Sequence, residues 1–253
     1  MFPAAVPMRN RLDKLLFDRG LAPSRERAQA LILAGRVLVN QQKVEKPGAS
    51  VDDTALLRVL GEEQRYVSRG GFKLEAALDR WHIDLAGRQC ADIGTSTGGF
   101  TDCMLQHGAA AVVAVDTGYG QIAEALRRDP RVSLRERTNA RHLKPGELGT
   151  GISFVSMDVS FISATLVLPA VLAAVRDSGE SRVEAVILVK PQFEAGREHV
   201  GKGGIVHDPV AHQLAIDRVR AAVHDLGAAG TEVAESPIQG TKGNREFLLY
   251  SRF

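Results

Sequence analysis

Asp92-Ile93-Gly94-Thr95-Ser96-Thr97-Gly98-Gly99-Phe100 is the stretch on which the fold turns. Cys90, Ala91 and Ile93 form a short apolar approach to it, and a helical run leaves it as far as Gln106. Strand, glycine turn and helix in that order make the first βα unit of a nucleotide-binding sheet. Glycine lets the backbone take positive φ and come close to a ligand. The spacing is not the dinucleotide G-x-G-x-x-G, and no lysine completes a Walker phosphate loop. An acid followed by glycines and hydroxyls suits a ligand with a cationic amino-acid end and a ribose. Asp116 closes the next apolar run, Ala111 to Val115, within reach of ribose hydroxyls. Together the two features point to S-adenosylmethionine; a glycine loop alone is also how ordinary tight turns are built.

Downstream of that unit the chain keeps alternating. Helical spacing over 121–128, a strand over 132–135, a loop at Thr138-Asn139-Ala140-Arg141 and a strand over 152–157 follow one another. An apolar run over 161–175 reads as a long helix, and 183–189 as a central strand ending in Lys190-Pro191. Asp208 and Pro209 open a helix over 210–226, and strands over 231–236 and 246–250 close the chain. This pattern predicts an α/β fold, a seven-stranded sheet of the methyltransferase variety, with the ligand outside the carboxyl ends of its strands.

Upstream the pattern changes. Leu12, Leu15 and Leu16 recur at helical spacing before Gly20, and Ser24 is placed to cap a second helix carrying Ala28, Leu31 and Ile32. Short strands at 37–39 and 56–59 follow, with turns at Asn40-Gln41-Gln42 and Pro47-Gly48. Arg25, Arg27 and Arg36 form a basic face there. From Arg9 to Gly71, 12 Lys and Arg stand against 8 Asp and Glu; the rest of the chain has 20 against 22. That change of sign predicts two domains with different partners, the basic one suited to phosphates. The expected boundaries are a first domain over 9–61, a hinge-like linker over 62–71 and a second domain over 72–253. Within the second, the amphipathic helix from Phe72 to Trp81 carries Lys73 in its first turn, where a cation opposes the helix dipole.

Composition sets the outer limits. Hydrophobic content of 44% is that of an ordinary globular chain, and no apolar run is long enough to span a bilayer. Met1 to Met8 is apolar but short and has no basic stretch before it, so no signal peptide is expected. Cys90 and Cys103 make neither a disulfide framework nor a metal site, and His207 and His212 are five apart, which does not align two ligands on one helix face. A cytoplasmic monomer without metal is the expectation.

Asp158 ends the fourth sheet strand, Lys190 the fifth, and Glu246 opens the last, which must run antiparallel to reach the same edge. Lys73 arrives from the preceding helix. The set Lys73, Asp158, Lys190, Glu246 resembles the K-D-K-E tetrad of FtsJ-type ribose 2′-O-methyltransferases. Beyond it, "SRERAQALILAGRVLVNQQKVEKPGASV" resembles the S4 RNA-binding module. "YVSRGGFKLEAAL", "DIGTSTGGFTD", "VDTGYGQ", "ERTNAR", "MDVSFIS", "LVKPQFEAGRE", "GGIVHDP" and "GNREFLLY" resemble the TlyA family, whose members carry haemolysin and rRNA methyltransferase names. The likeness spans nearly the whole chain.

The resemblance implies an S-adenosylmethionine-dependent transferase that methylates cytidine 2′-hydroxyls of ribosomal RNA within ribosomal subunits. Lys73, Asp158, Lys190 and Glu246 would be catalytic, with Lys190 accepting or polarising the 2′-OH proton. Asp92, Gly94, Thr95, Ser96, Thr97, Gly98, Gly99, Phe100, Asp116, Asn139 and Asp158 would bind the cofactor, and Arg11, Arg25, Arg27, Arg36 and Arg69 the RNA. The glycine-rich loop 192–207 would face the RNA as a lid. Some family members extend beyond the last strand; a chain ending at Phe253 favours the 23S over the 16S target. Two rivals compete: a membrane-active haemolysin, which needs an exposed apolar helix, and a non-catalytic RNA-binding protein that keeps the fold.

Overall fold

The structure, a computed structural model, describes residues 9–60, 65–176, 182–240 and 243–253. Met1 to Met8, the last residue of the expected first domain (61) and the start of the expected linker (62–64) lie outside them. By its contacts the chain divides into two units, Met1–Arg65 and Tyr66–Phe253.

In the first unit β1 (Arg9–Arg11) runs into α1 (Leu12–Asp18), and α2 (Arg25–Leu33) follows. Four short strands come next: β2 (Val37–Val39), β3 (Gln42–Lys43), β4 (Ser50–Asp52) and β5 (Leu57–Val59). Leu12, Leu15 and Leu16 of α1 meet Ala28, Leu31 and Ile32 of α2 in a small core that includes Val37. Ser24 caps α2, its Oγ accepting from Arg27 N at 3.2 Å. β1 and β4, which the pattern does not predict, pair antiparallel over three residues each; such short, polar strands leave no periodicity to read.

The second unit opens with α3 (Gly70–Trp81), then β6 (Gln89–Ile93), α4 (Gly99–Gln106), β7 (Ala111–Val115), α5 (Glu124–Arg127), β8 (Val132–Arg135) and β9 (Ile152–Met157). It continues through α6 (Leu168–Arg176), β10 (Glu184–Val189), α7 (Pro191–Glu194), α8 (Pro209–Asp225), β11 (Gly230–Glu235) and β12 (Phe247–Arg252). Its seven strands lie in the order β11-β12-β10-β9-β6-β7-β8. Only β12 runs against its neighbours, pairing antiparallel with both β10 and β11. Strand alternation splits the core in two. Ala185, Ile187 and Val189 point toward α6 and α8, whereas Val186 and Leu188 point toward α3 and α4. Both faces are covered, so the β10 sequence is apolar throughout instead of alternating. The order of strands reverses between β6 and β9, which is where an open α/β sheet makes its binding crevice.

Three expectations need correction. Residues 66–71 are not linker. Tyr66 is buried, packs edge-on to Phe72 at 5.2 Å, and lies against Gly71 so closely that a Cβ there would sit 2.2 Å from its ring. Val67 N donates to Asp102 Oδ2 at 2.7 Å, and α3 begins at Gly70. The run 161–175 is not one helix. Phe161 takes φ +65°, a 3-10 turn spans Ala164–Leu166, and α6 starts only at Leu168. The helix expected over 121–128 is the single turn α5, Glu124–Arg127.

Candidate active site

The glycine loop is shaped by what lies behind it. Gly94 has φ +88°, and a Cβ there would meet the Asp158 carbonyl oxygen at 2.4 Å, so the loop after β6 lies backbone-on-backbone against the end of β9. Gly99 does the same toward α3. A Cβ on it would sit 2.9 Å from Gly71 N and 2.3 Å from Ser68 Oγ, which lets the first turns of α3 and α4 touch. That approach carries Lys73, in the first turn of α3, to the strand ends.

A cleft of about 270 Å³ opens there. Gly94, Thr95, Ser96, Thr97, Gly99 and Phe100 line it from the loop, Arg69 and Lys73 from α3, Asp158 and Ser160 from the end of β9. Lys190 enters from β10, and Gly240 and Glu246 from the approach to β12. All four charged residues of the expected tetrad therefore share one cavity, as two ion pairs. Lys73 Nζ donates to Glu246 Oε2 at 2.5 Å, with both side chains nearly buried. Lys190 Nζ stands 2.6 Å from Asp158 Oδ1 and donates to Ser160 Oγ at 2.7 Å. Asp158 Oδ1 is buried and has no aligned hydrogen bond, so its contact with Lys190 is electrostatic alone. Lys73 thus opposes the helix dipole because Glu246 balances it. Two lysines and two carboxylates, with Arg69 also in the lining, leave the cleft polar, which suits holding a reacting hydroxyl.

The other expected cofactor residues take different positions. Asp92 is fully buried and does not line the cleft; Thr101 donates to it at 2.6 Å and Ser156 at 3.1 Å. It points to the α4 face because strand side chains alternate, and so ties the loop down from behind. Burial outweighs these hydroxyls and pushes its carboxyl up to about 7, with the negative charge of Asp158 adding to the rise. Gly98 is also behind the loop, against Leu126. Asp116 stitches the loop to the end of β7, its Oδ2 accepting from Ser96 N at 2.7 Å and its Oδ1 from Gly118 N at 2.6 Å. Asn139 caps a short 3-10 turn, accepting from Arg141 N at 3.0 Å, and does not line the cleft.

Ser160 lines the cleft and has no place in the expected set, and neither has Phe161, next to it in the chain. Phe161 is 92% exposed, in left-handed backbone, 5.5 Å from the Phe193 ring. An exposed aromatic held in a costly conformation beside a cleft is a surface on which a nucleobase can stack. Both lie in the block "MDVSFIS", and the helical reading of 161–175 took in Phe161.

Of the expected RNA contacts, Arg69 is exposed at the cleft. In the first unit Arg11 and Arg25 share the fully buried Asp13, at 2.9 and 3.2 Å. Arg27 lies one half-turn further along α2, and Arg36 Nε donates to the Leu60 carbonyl at 2.8 Å. Among the described residues no group of three or more His, Cys, Asp or Glu could hold a metal, and no helix is long and apolar enough to cross a membrane.

Comparison with known proteins agrees with this geometry. An S4 domain model matches residues 10–55 and an FtsJ-like methyltransferase model residues 66–253. The 16S/23S rRNA (cytidine-2'-O)-methyltransferase TlyA of Mycobacterium tuberculosis is 47% identical over 96% of this chain and 90% of its own. Hemolysin A of Brachyspira hyodysenteriae is 40% identical over 95% of this chain and 98% of its own. A solved structure described as a candidate hemolysin, from Streptococcus thermophilus, superposes with a TM-score of 0.73 at 42% identity, covering 98% of this chain and 89% of that one. The cleft fits the cofactor of such enzymes, S-adenosyl-L-methionine, because it is lined by the Gly94 and Gly99 backbone and by the polar residues Thr95, Ser96 and Thr97. With an S4 domain joined to an FtsJ-like methyltransferase domain, the chain belongs to the TlyA family.

Proposed function

We propose that this S-adenosylmethionine-dependent RNA methyltransferase acts on the ribose 2′-hydroxyl of cytidine in ribosomal RNA, in ribosomal subunits in the cytoplasm. The observation that carries the reading is the pair of lysine–carboxylate contacts, Lys73–Glu246 and Lys190–Asp158, in a cleft that the glycine loop lines. When bound, the cofactor supplies a methyl group already activated on a sulfonium. What remains for the chain is to orient a ribose and help its hydroxyl lose a proton. Lys190 is held between Asp158 and Ser160, and in neutral form it takes that proton; as an ammonium it stabilises the oxygen that loses it. Glu246, wrapped by Gly240, keeps Lys73 opposite. Phe161 offers the target base a stacking face, which a nucleotide turned out of a folded RNA requires.

The S4 unit, with its excess of Lys and Arg, supplies the attraction for phosphates, through Arg11, Arg25, Arg27 and Arg36. The name of the Mycobacterium tuberculosis relative covers both 16S and 23S rRNA; 23S is the first target in this proposal and 16S the second. Mapping 2′-O-methyl cytidines on both RNAs from cells with and without the protein tests it. A methyl present only with the protein supports the reading, and identical maps remove it.

A further inference from the structure

The loop that carries Asp158, Ser160 and Phe161 is held from outside the cleft, by a residue that nothing above has used. Glu194 ends α7, four residues after Lys190, and is 2% exposed. Its Oε1 accepts from Ala164 N at 2.7 Å, and its Oε2 accepts from Ser163 Oγ. These are the residues that cap and begin the 3-10 turn following Phe161. Burial raises the Glu194 carboxyl above its ordinary range, against the lowering effect of those same two donors and of Arg218. Arg218 of α8 also donates to the Glu194 carbonyl, which fixes the end of α7.

The segments 158–164 and 190–194 therefore meet at three points in step: Lys190 with Asp158 and Ser160, Phe193 with Phe161, and Glu194 with Ser163 and Ala164. Only the first lies in the cleft. A phenylalanine at φ +65° is costly and needs neighbours that over-determine it. The buried Glu194 side chain, taking both a hydroxyl and a backbone N–H just beyond Phe161, is such an anchor.

We propose that Glu194 is a positioning residue for methyl transfer: it fixes the loop so that Ser160 meets Lys190 and Phe161 stands out beside the cleft. The proposal rests on the assignment of Lys190 and Asp158 to the reaction. Single-turnover methyl transfer to ribosomal subunits, with calorimetric S-adenosylmethionine binding alongside, tests it in the full chain. Glu194→Ala should slow transfer about 10–100-fold, as a displacement of the order of 1 Å at a reacting group does, with cofactor affinity within about twofold. Glu194→Gln should recover most of the rate, since its carbonyl still accepts from Ala164 N and its amide can donate to Ser163 Oγ. Ser163→Ala leaves the Glu194 carboxyl and its bond from Ala164 N in place, removes its bond from Ser163 Oγ together with the hydroxyl's own bonds to Thr165 N and Oγ1, and stays folded if Glu194→Ala does not; it should slow transfer about 3–10-fold. Wild-type rates in folded Glu194→Ala or in Ser163→Ala overturn the proposal, as does Glu194→Gln as slow as Glu194→Ala. Lys190→Ala is the control. If it is inactive while Glu194→Ala is unimpaired, only the role of Glu194 falls; if it turns over normally, the assignment beneath falls as well.

Discussion

Each unit of this chain buries charge around a carboxylate, and the two do it to opposite ends. In the first, Asp13 accepts from Arg11 Nε and NH2, Lys14 N, Gln29 Nε2 and Arg25 NH2, all within 3.2 Å. Hydrogen bonds from Arg11 lead the causes that hold its carboxyl well below the usual range, and every acceptor site is used. In the second, Asp158 faces a cavity, with a lysine beside one oxygen and no aligned hydrogen bond to it. A saturated carboxylate can only brace its neighbours, whereas one with capacity to spare beside open space can answer to a substrate. Sequence distance parallels the difference. Asp13 draws on partners within 16 positions, whereas Lys73 and Glu246 are 173 apart.

The largest expected effect is on the saturated side. Asp13→Ala should destabilise the first unit by an amount near the low end of about 3–5 kcal/mol, because the guanidinium groups it strands can turn to water. A thermal melt of the full chain unchanged within a degree would show that the cluster braces nothing.

Asp92 sharpens the contrast, since it is as buried as Asp13 but has two hydroxyls for partners and no cation in contact. Its carboxyl is raised from 3.8 to about 7 in the folded chain. The native state therefore holds a proton that the unfolded chain has given up, and stability falls as pH rises from about 4 to about 7. Asp92→Asn removes this titration, so over that window its melting temperature should fall less than that of the wild type. The difference in melting temperature should move in the variant's favour as pH rises to 8. Parallel pH dependence in the two proteins would mean that Asp92 ionises as freely as a surface acid.

Asp116 lies between the extremes, engaged by two backbone N–H groups at the rim of the loop. Asp116→Ala should weaken S-adenosylmethionine binding by about 1.5–3 kcal/mol, the size of a charge-assisted hydrogen bond. Unchanged calorimetric affinity would remove it from the cofactor site.

These positions also mark how far the sequence could be read. The alternation of apolar runs and helical spacing foretells the sheet, and acids and lysines at strand ends foretell which charges share an edge. The partners of Asp92 could not be foretold, because Thr101 and Ser156 come from two other elements and nothing in the spelling joins them. The run 161–175 misleads for a different reason: almost every residue is apolar, so helical spacing is satisfied wherever the helix begins. What breaks it is Glu194, thirty residues away, capping a turn at Ser163 and Ala164. Tyr66 misleads likewise, an aromatic in a charged, glycine-rich stretch that packs into a core.

The most direct measurement of the central claim, that charge with capacity to spare makes the site, is methyl transfer by Lys190→Ala. Wild type and variant would be given labelled S-adenosylmethionine and ribosomal subunits, with cofactor binding measured on the same preparations. Binding should persist while transfer drops by at least about 10²–10⁴-fold, the range of a lost proton-transfer group. A variant that binds the cofactor and still methylates at the wild-type rate would contradict the account.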